Sequence, residues 1–225
     1  MQRDTAHSYS IMRNVFFKPW IGERFESSGY LGKKLLVLGE SHYCEIEQIC
    51  AECGITGMVG CNDFTNSTVR KFLAYKFSGT AHRRWMNTYT RFGNVMENRR
   101  LNADETAALW SSIAFYNYVQ IAVTDKRTPP SAENFRISEE AFLRVVRELS
   151  PDLIIAWGDR LWGNMPSTGR DVQIQDTRYY VYRFDNGLAV PAVSVYHPST
   201  SHFNFGSHEL LVKAIELCHQ AAIVL

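Results

Sequence analysis

Three segments of the chain carry unbroken apolar runs: Leu35 to Leu38 within residues 33–39, Ile113 to Tyr116 within 113–119, and Leu153 to Trp157 within 152–158. A strand buried on both faces reads this way, and each run leads into polar residues at its carboxyl end. Residues 139–149 follow a different rhythm. Ala141, Phe142, Val145, Val146 and Leu149 fall on one stripe at helical spacing, with Ser138 as the expected cap and Pro151 beyond the end. Residues 69–77 and 208–225 also read as helices, the first in the core and the second amphipathic. A fourth strand is expected over 190–196. The alternating segment 178–185 precedes it, with Asn186-Gly187 as a tight hairpin turn. Strands alternating with helices predict an α/β protein, a three-layer α/β/α sandwich with a mostly parallel central sheet. In such sheets the ligand lies beyond the carboxyl ends of the strands.

No repeat, heptad or low-complexity tract interrupts the pattern, and Pro and Gly are scattered rather than gathered into a linker, so residues 1–225 are expected to form a single domain. A length of 225 residues allows one α/β domain with a sizeable core. With 24 Lys and Arg against 23 Asp and Glu, any nucleic-acid contact must come from local patches. His82-Arg83-Arg84-Trp85 and Asn98-Arg99-Arg100 are such patches, although a solvated helix face accounts for either alone. Residues 1–14 lack the apolar run of a signal peptide, and no apolar stretch of about 18 residues occurs, so a cytoplasmic protein without a membrane partner is expected. Cysteines in a reducing compartment read as thiols or ligands before disulfides. Cys44, Cys50, Cys53 and Cys61 crowd together, and the Cys50-x2-Cys53 pair has ligand spacing. A structural zinc, or less readily an iron–sulfur cluster, stands against free thiols as the alternative. No cofactor is expected to be required for the chemistry.

Three polar clusters gather at the strand ends: Gly39-Glu40-Ser41-His42-Tyr43, Asn117, and His197-Pro198-Ser199-Thr200-Ser201. A lone Asn at a strand end is an ordinary cap, and a lone His-Pro-Ser an ordinary turn. Their joint arrival at one sheet edge points to a site. Gly-x-Ser after a strand also opens a hydrolase nucleophile elbow, with His197 and an Asp as partners, but Tyr43 stands where the elbow needs its second Gly.

Gly39-Glu40-Ser41-His42-Tyr43 resembles the first motif of the uracil-DNA glycosylase superfamily, which follows a strand as Gly-Gln-Asp-Pro-Tyr, Gly-Glu-Ala-Pro-Gly or Gly-Met-Asn-Pro-Gly. His197-Pro198-Ser199 resembles its second motif. Phe115 to Val119, the loop Arg127-Thr128-Pro129-Pro130, the strand from Pro151 to Gly158, and Asp63-Phe64-Thr65 with its following helix are similar, in order, to the iron–sulfur branch. The likeness spans about residues 33–210 and leaves 81–106 unmatched. The cysteine spacing does not follow that branch.

The resemblance implies a monomeric, monofunctional DNA glycosylase that hydrolyses the N-glycosidic bond of a flipped-out nucleotide. His197 would face the base carbonyl as its charge grows, Asn117 would read the amide edge, and Phe64 would stack on the base. Ser199, Thr200, Ser201 and Pro129 would meet the DNA backbone, and Phe203 or Phe205 would wedge into the stack. Where several branches place Asp or Asn and then Pro, this chain has Ser41 and His42. Water activation is therefore expected from Glu40 or His42. Tyr43 matches the tyrosine that excludes the thymine methyl in one branch. Uracil is the default base, with a damaged or hypermodified pyrimidine, as in some phage genomes, as the alternative; the role would be repair or defence against foreign DNA. The motifs contain no lysine, so no lyase activity is expected. The departures from the first motif equally suit a catalytically silent nucleic-acid-binding or nucleotide-binding relative.

Overall fold

The computed structural model describes residues 15–43, 61–123 and 128–224. In chain order the elements are β1 (Trp20–Ile21), β2 (Leu35–Gly39), α1 (Phe64–Ser78), α2 (Met86–Met96), α3 (Ala103–Ser112) and β3 (Ile113–Asn117). There follow α4 (Ala132–Leu149), β4 (Leu153–Trp157), α5 (Asp159–Gly163), β5 (Arg170–Ile174), β6 (Thr177–Arg183), β7 (Ala189–Val195) and α6 (His208–Ile223). Short 3-10 turns at Cys61–Asp63 and Phe205–Ser207 precede α1 and α6.

One sheet takes the order β1-β3-β2-β4-β7-β6-β5. β2 pairs in parallel with β3 and β4, and β4 with β7, whereas β1, β6 and β5 run antiparallel to their neighbours. The sheet is therefore mixed, and the expectation of a mostly parallel sheet holds only for its four central strands. The physical reason is connection length. β5, β6 and β7 follow one another through turns of a few residues, which permit only antiparallel pairing.

The apolar runs are explained by the two cores they feed. Leu35, Val37, Ile113, Phe115 and Ile155 pack on one face with Val69 and Phe72 of α1, Tyr89 and Phe92 of α2, Trp110 of α3 and Ile215 of α6. Leu36, Leu38, Ala114, Tyr116 and Ile154 pack on the other face with Phe142, Val145 and Leu149 of α4. Each fully buried aliphatic side chain contributes roughly 1.5–3 kcal/mol, so neither face tolerates a polar substitution. This gives helix, sheet and helix layers.

The stripe over 139–149 belongs to a longer helix. α4 begins at Ala132, where Ser131 accepts the Asn134 N–H and the Asn134 side chain accepts the Ser131 N–H. Ser138, expected as the cap, instead lies buried inside α4 and accepts the Gln120 N–H at 2.9 Å, tying the loop after β3 to the helix. Connections leaving β2 cross the face covered by α1 to α3, and that leaving β3 crosses the opposite face through α4. Such a reversal opens a crevice at the carboxyl ends of the strands. Among the described residues no helix is long and apolar enough to cross a membrane.

Candidate functional site

Gly39 and Asn117 are partners in the β2–β3 register, so the two polar clusters emerge side by side. The approach is close: a Cβ on Gly39 would lie 2.1 Å from Asn117 Oδ1. Only glycine lets the amide lie across β2. A cavity of about 540 Å³ opens above these strand ends, lined by Glu40, Ser41, His42 and Tyr43 after β2, Asn117 of β3, Arg160 after β4, and His197 and Ser199 after β7. Phe64 and Lys71 of α1, Arg83 and Trp85 just before α2, and Tyr89 of α2 form another side.

His197 is poised as a hydrogen-bond donor. Its Nδ1 accepts the backbone N–H of Ser199 at 3.1 Å and lies 2.7 Å from the Ser199 hydroxyl. A ring nitrogen that accepts an N–H carries no proton, so in the neutral ring the proton sits on Nε2. Burial lowers the His197 pKa, with the Glu40 carboxylate pulling upward and Arg160 pushing down. Neutral His197 therefore persists below the usual imidazole range. Gly158 supports the placement: it has φ +91°, and a Cβ there would stand 3.2 Å from His197 Cβ.

Glu40 is held by a two-pronged ion pair, Arg160 Nε to Oε2 and Nη2 to Oε1, both at 2.6 Å. The Glu40 side chain is 11% exposed and that of Arg160 53%, so the guanidinium covers the carboxylate from solvent. Each carboxylate oxygen retains a lone pair for a water.

His42 is not placed to act as the general base. It is 3% exposed, its ring set between Phe17 at 4.7 Å and Phe64 at 4.4 Å between centroids. That burial pushes its pKa down to about 3. Its Nε2 lies 2.9 Å from Thr65 Oγ1, and Asn117 Nδ2 lies 3.0 Å from its Nδ1 and 3.2 Å from its Nε2. The ring is a neutral bridge between a buried threonine and the site asparagine. Ser41 Oγ is buried without a hydrogen-bond partner among the described residues, so no base is hydrogen-bonded to it there, which disfavours the serine-hydrolase alternative.

Phe64 lines the cavity, whereas Tyr43 stands at its rim, 42% exposed. Thr200 makes a turn, its N–H and hydroxyl both donating to the His197 carbonyl, while its own carbonyl accepts from Arg91 at 2.6 Å. Thr200, Ser201 and Pro129 are exposed and do not line the cavity. Phe203, expected as a wedge, is instead buried in the core, stacked on Phe92, and a ring so held cannot enter a base stack. Phe205 is exposed. Cys44, Cys50 and Cys53 lie outside the described residues, and Cys61 opens the 3-10 turn before α1. Among the described residues no group of His, Cys, Asp and Glu is arranged to hold a metal ion.

Sequence reasoning missed Arg160 and Tyr89, and named Trp85 only as part of a basic patch, not as a wall of the cavity. The signal for Arg160 was present as Gly158-Asp159-Arg160, a fourth polar cluster at a strand end. Trp85 and Tyr89 fall in the unmatched stretch 81–106, whose helix α2 walls the cavity. A larger cavity of about 820 Å³ lies between α5, α6 and the β5–β6 hairpin. It holds none of the three predicted clusters, so the smaller cavity is the chemical candidate.

No protein-family model matches the chain, and a search of curated proteins finds no match to it.

Proposed function

We propose that the chain is a monofunctional DNA N-glycosylase of the uracil-DNA glycosylase type, acting on a base extruded into the 540 Å³ cavity. What supports this reading is the convergence on that cavity of Glu40, Asn117, Phe64 and a His197 whose neutral ring carries its proton on Nε2. Among the described residues the lining also carries the cationic side chains Lys71, Arg83 and Arg160, a residue type suited to a substrate that carries phosphate.

The chemistry follows from those groups. Water adds its oxygen to the sugar C1′, the C1′–N bond breaks with its electron pair leaving on the base, and the proton that the water loses ends on the departing base. His197 Nε2–H donates to the base carbonyl that gains negative charge, a stabilisation strongest in the transition state. Glu40 accepts a hydrogen bond from the water and stabilises the positive character at C1′, while Arg160 keeps the carboxylate in one orientation. Phe64 stacks on the base and Asn117 pairs with its edge.

A second reading, a nucleotide-binding relative without catalysis, is favoured by one observation: both Glu40 oxygens are engaged by Arg160. Release of free base from DNAs containing uracil, hypoxanthine, damaged bases and modified cytosines, with wild type and His197→Ala in parallel, separates the two. Release by wild type that the variant lacks supports the glycosylase; binding of DNA without release from any substrate supports the silent relative.

A further inference from the structure

His197 owes its ring orientation to the loop that follows it, and that loop closes on itself. The N–H and hydroxyl of Thr200 both donate to the His197 carbonyl at 2.9 Å, and inside the turn the Ser199 N–H reaches His197 Nδ1 at 3.1 Å. The turn follows β7 with Ser199 and Thr200 exposed, so its own bonds set its shape but not its place over the cavity. α2 sets the place. Arg91, Phe92 and Val95 share one side of that helix, at i, i+1 and i+4. The Phe92 ring stacks on Phe203 at 6.3 Å between centroids, and the Val95 carbonyl accepts from His208 Nδ1 at 2.9 Å. Those two contacts fall well past His197 in the chain. The third falls within the turn: Arg91 Nη1 donates to the Thr200 carbonyl at 2.6 Å.

We propose that Arg91 is a positioning residue for His197: by holding the Thr200 carbonyl it pins the turn whose Ser199 N–H keeps the imidazole proton on Nε2. The inference rests on the glycosylase reading for what that proton does, its donation to the departing base, whereas the coupling of Arg91 to the ring rests on the hydrogen bonds alone. A charge-assisted bond of this kind is roughly twice as strong as a neutral one, and Thr200 is the residue that grips the His197 carbonyl through two donors. Without Arg91 the turn hangs between the end of β7 and the buried Phe203 ring. A ring nitrogen freed from the Ser199 N–H can take the proton in the other neutral tautomer. That tautomer turns a lone pair on Nε2 toward the base carbonyl, acceptor against acceptor, and the stabilisation of the leaving base is lost. Arg91 lies in the stretch 81–106 that the likeness to known motifs leaves unmatched, so α2 brings to the site a clamp on its His-Pro-Ser loop as well as a wall.

The test is heteronuclear NMR of the His197 ring nitrogens in the full chain without substrate, at a pH above the imidazole range, comparing wild type, Arg91→Ala and Arg91→Lys. Wild type is expected to show a protonated Nε2 and a bare Nδ1 as two well-separated shifts. Arg91→Ala is expected to draw the two shifts together as both tautomers become populated, and to lower kcat for base release by about 10-fold with KM changed by less than about threefold. Arg91→Lys, which restores a cationic donor, is expected to recover most of both. A merely structural role lowers the urea midpoint of Arg91→Ala and leaves its ring shifts unmoved, and that result overturns the proposal. So does a wild type whose proton sits on Nδ1. Because the ring shifts are read without substrate, the two readings fail separately: a wild type that releases no base refutes the glycosylase while the shifts still judge Arg91, and base release with unmoved shifts in Arg91→Ala refutes the positioning role alone.

Discussion

Gly39→Ala tests the geometry of the site at its tightest point. The added Cβ would lie 2.1 Å from Asn117 Oδ1 and 3.0 Å from Phe115 Cζ, where ordinary contacts begin at 3.4 Å. Asn117 must therefore retreat by more than an ångström. It has little freedom to do so, because its amide is 3.0 Å from His42 Nδ1 and the residue is only 6% exposed. Overpacking of this kind costs about 1–3 kcal/mol of stability. Displacing a positioning group by about 1 Å costs on the order of 100-fold in rate. The expected result is a folded protein with an unfolding midpoint in urea lowered by that energy and with kcat/KM for base release down by about 100-fold. Gly163→Ala is the control, since nothing lies within 4 Å of its added Cβ, and it should change stability by no more than about 0.5 kcal/mol. A Gly39→Ala protein with wild-type stability and wild-type release would refute the packing of the Asn117 amide on β2.

Arg160→Ala should reduce base release by about 10- to 100-fold by freeing Glu40, yet change stability by less than about 1 kcal/mol because the guanidinium is 53% exposed; comparing urea midpoints with kcat/KM checks both. The same variant removes a charge that pushes the His197 pKa down, so the acid limb of the pH–rate profile should move to higher pH, and in wild type that limb should lie below 6.5. His42 binds its proton near pH 6.5 in the unfolded chain and only at about 3 in the folded one. Between those values the unfolded state holds more protons, so stability is complete above about pH 6.5 and declines as pH falls through the window, by up to about 1.4 kcal/mol per unit. Urea unfolding from pH 7 to 4 should show this slope in wild type and a shallower one in His42→Gln. Asn102→Ala, which deletes a capping box at the start of α3, should cost about 1 kcal/mol with no change in base release.

The central strands were legible because burial on both faces leaves an unambiguous record: Leu35, Leu36, Val37 and Leu38 alternate between the two cores and are all apolar. β1 and β5 were not, since a two-residue edge strand has no period and β5 exposes Arg170, Asp171 and Gln173. The positions of Glu40, Asn117 and His197 followed from the rule that ligands meet the carboxyl ends of parallel strands. Their chemical states did not follow. The depressed pKa of His42 is set by Phe17 and Phe64, each more than twenty residues away in sequence, and the ion pair of Glu40 by Arg160, 120 residues on. Phe203 looked available because it follows the His-Pro-Ser loop, and only the packing of α2 places its ring against Phe92.

The most direct test of the central claim is a single-turnover assay on a uracil-containing oligonucleotide, scored for alkali-labile abasic product, with wild type and His197→Ala compared. A monofunctional glycosylase gives strand cleavage at the uracil position after alkali, dependent on His197 and without cleavage before alkali. An intact oligonucleotide with wild type, or equal product with both proteins, would contradict it.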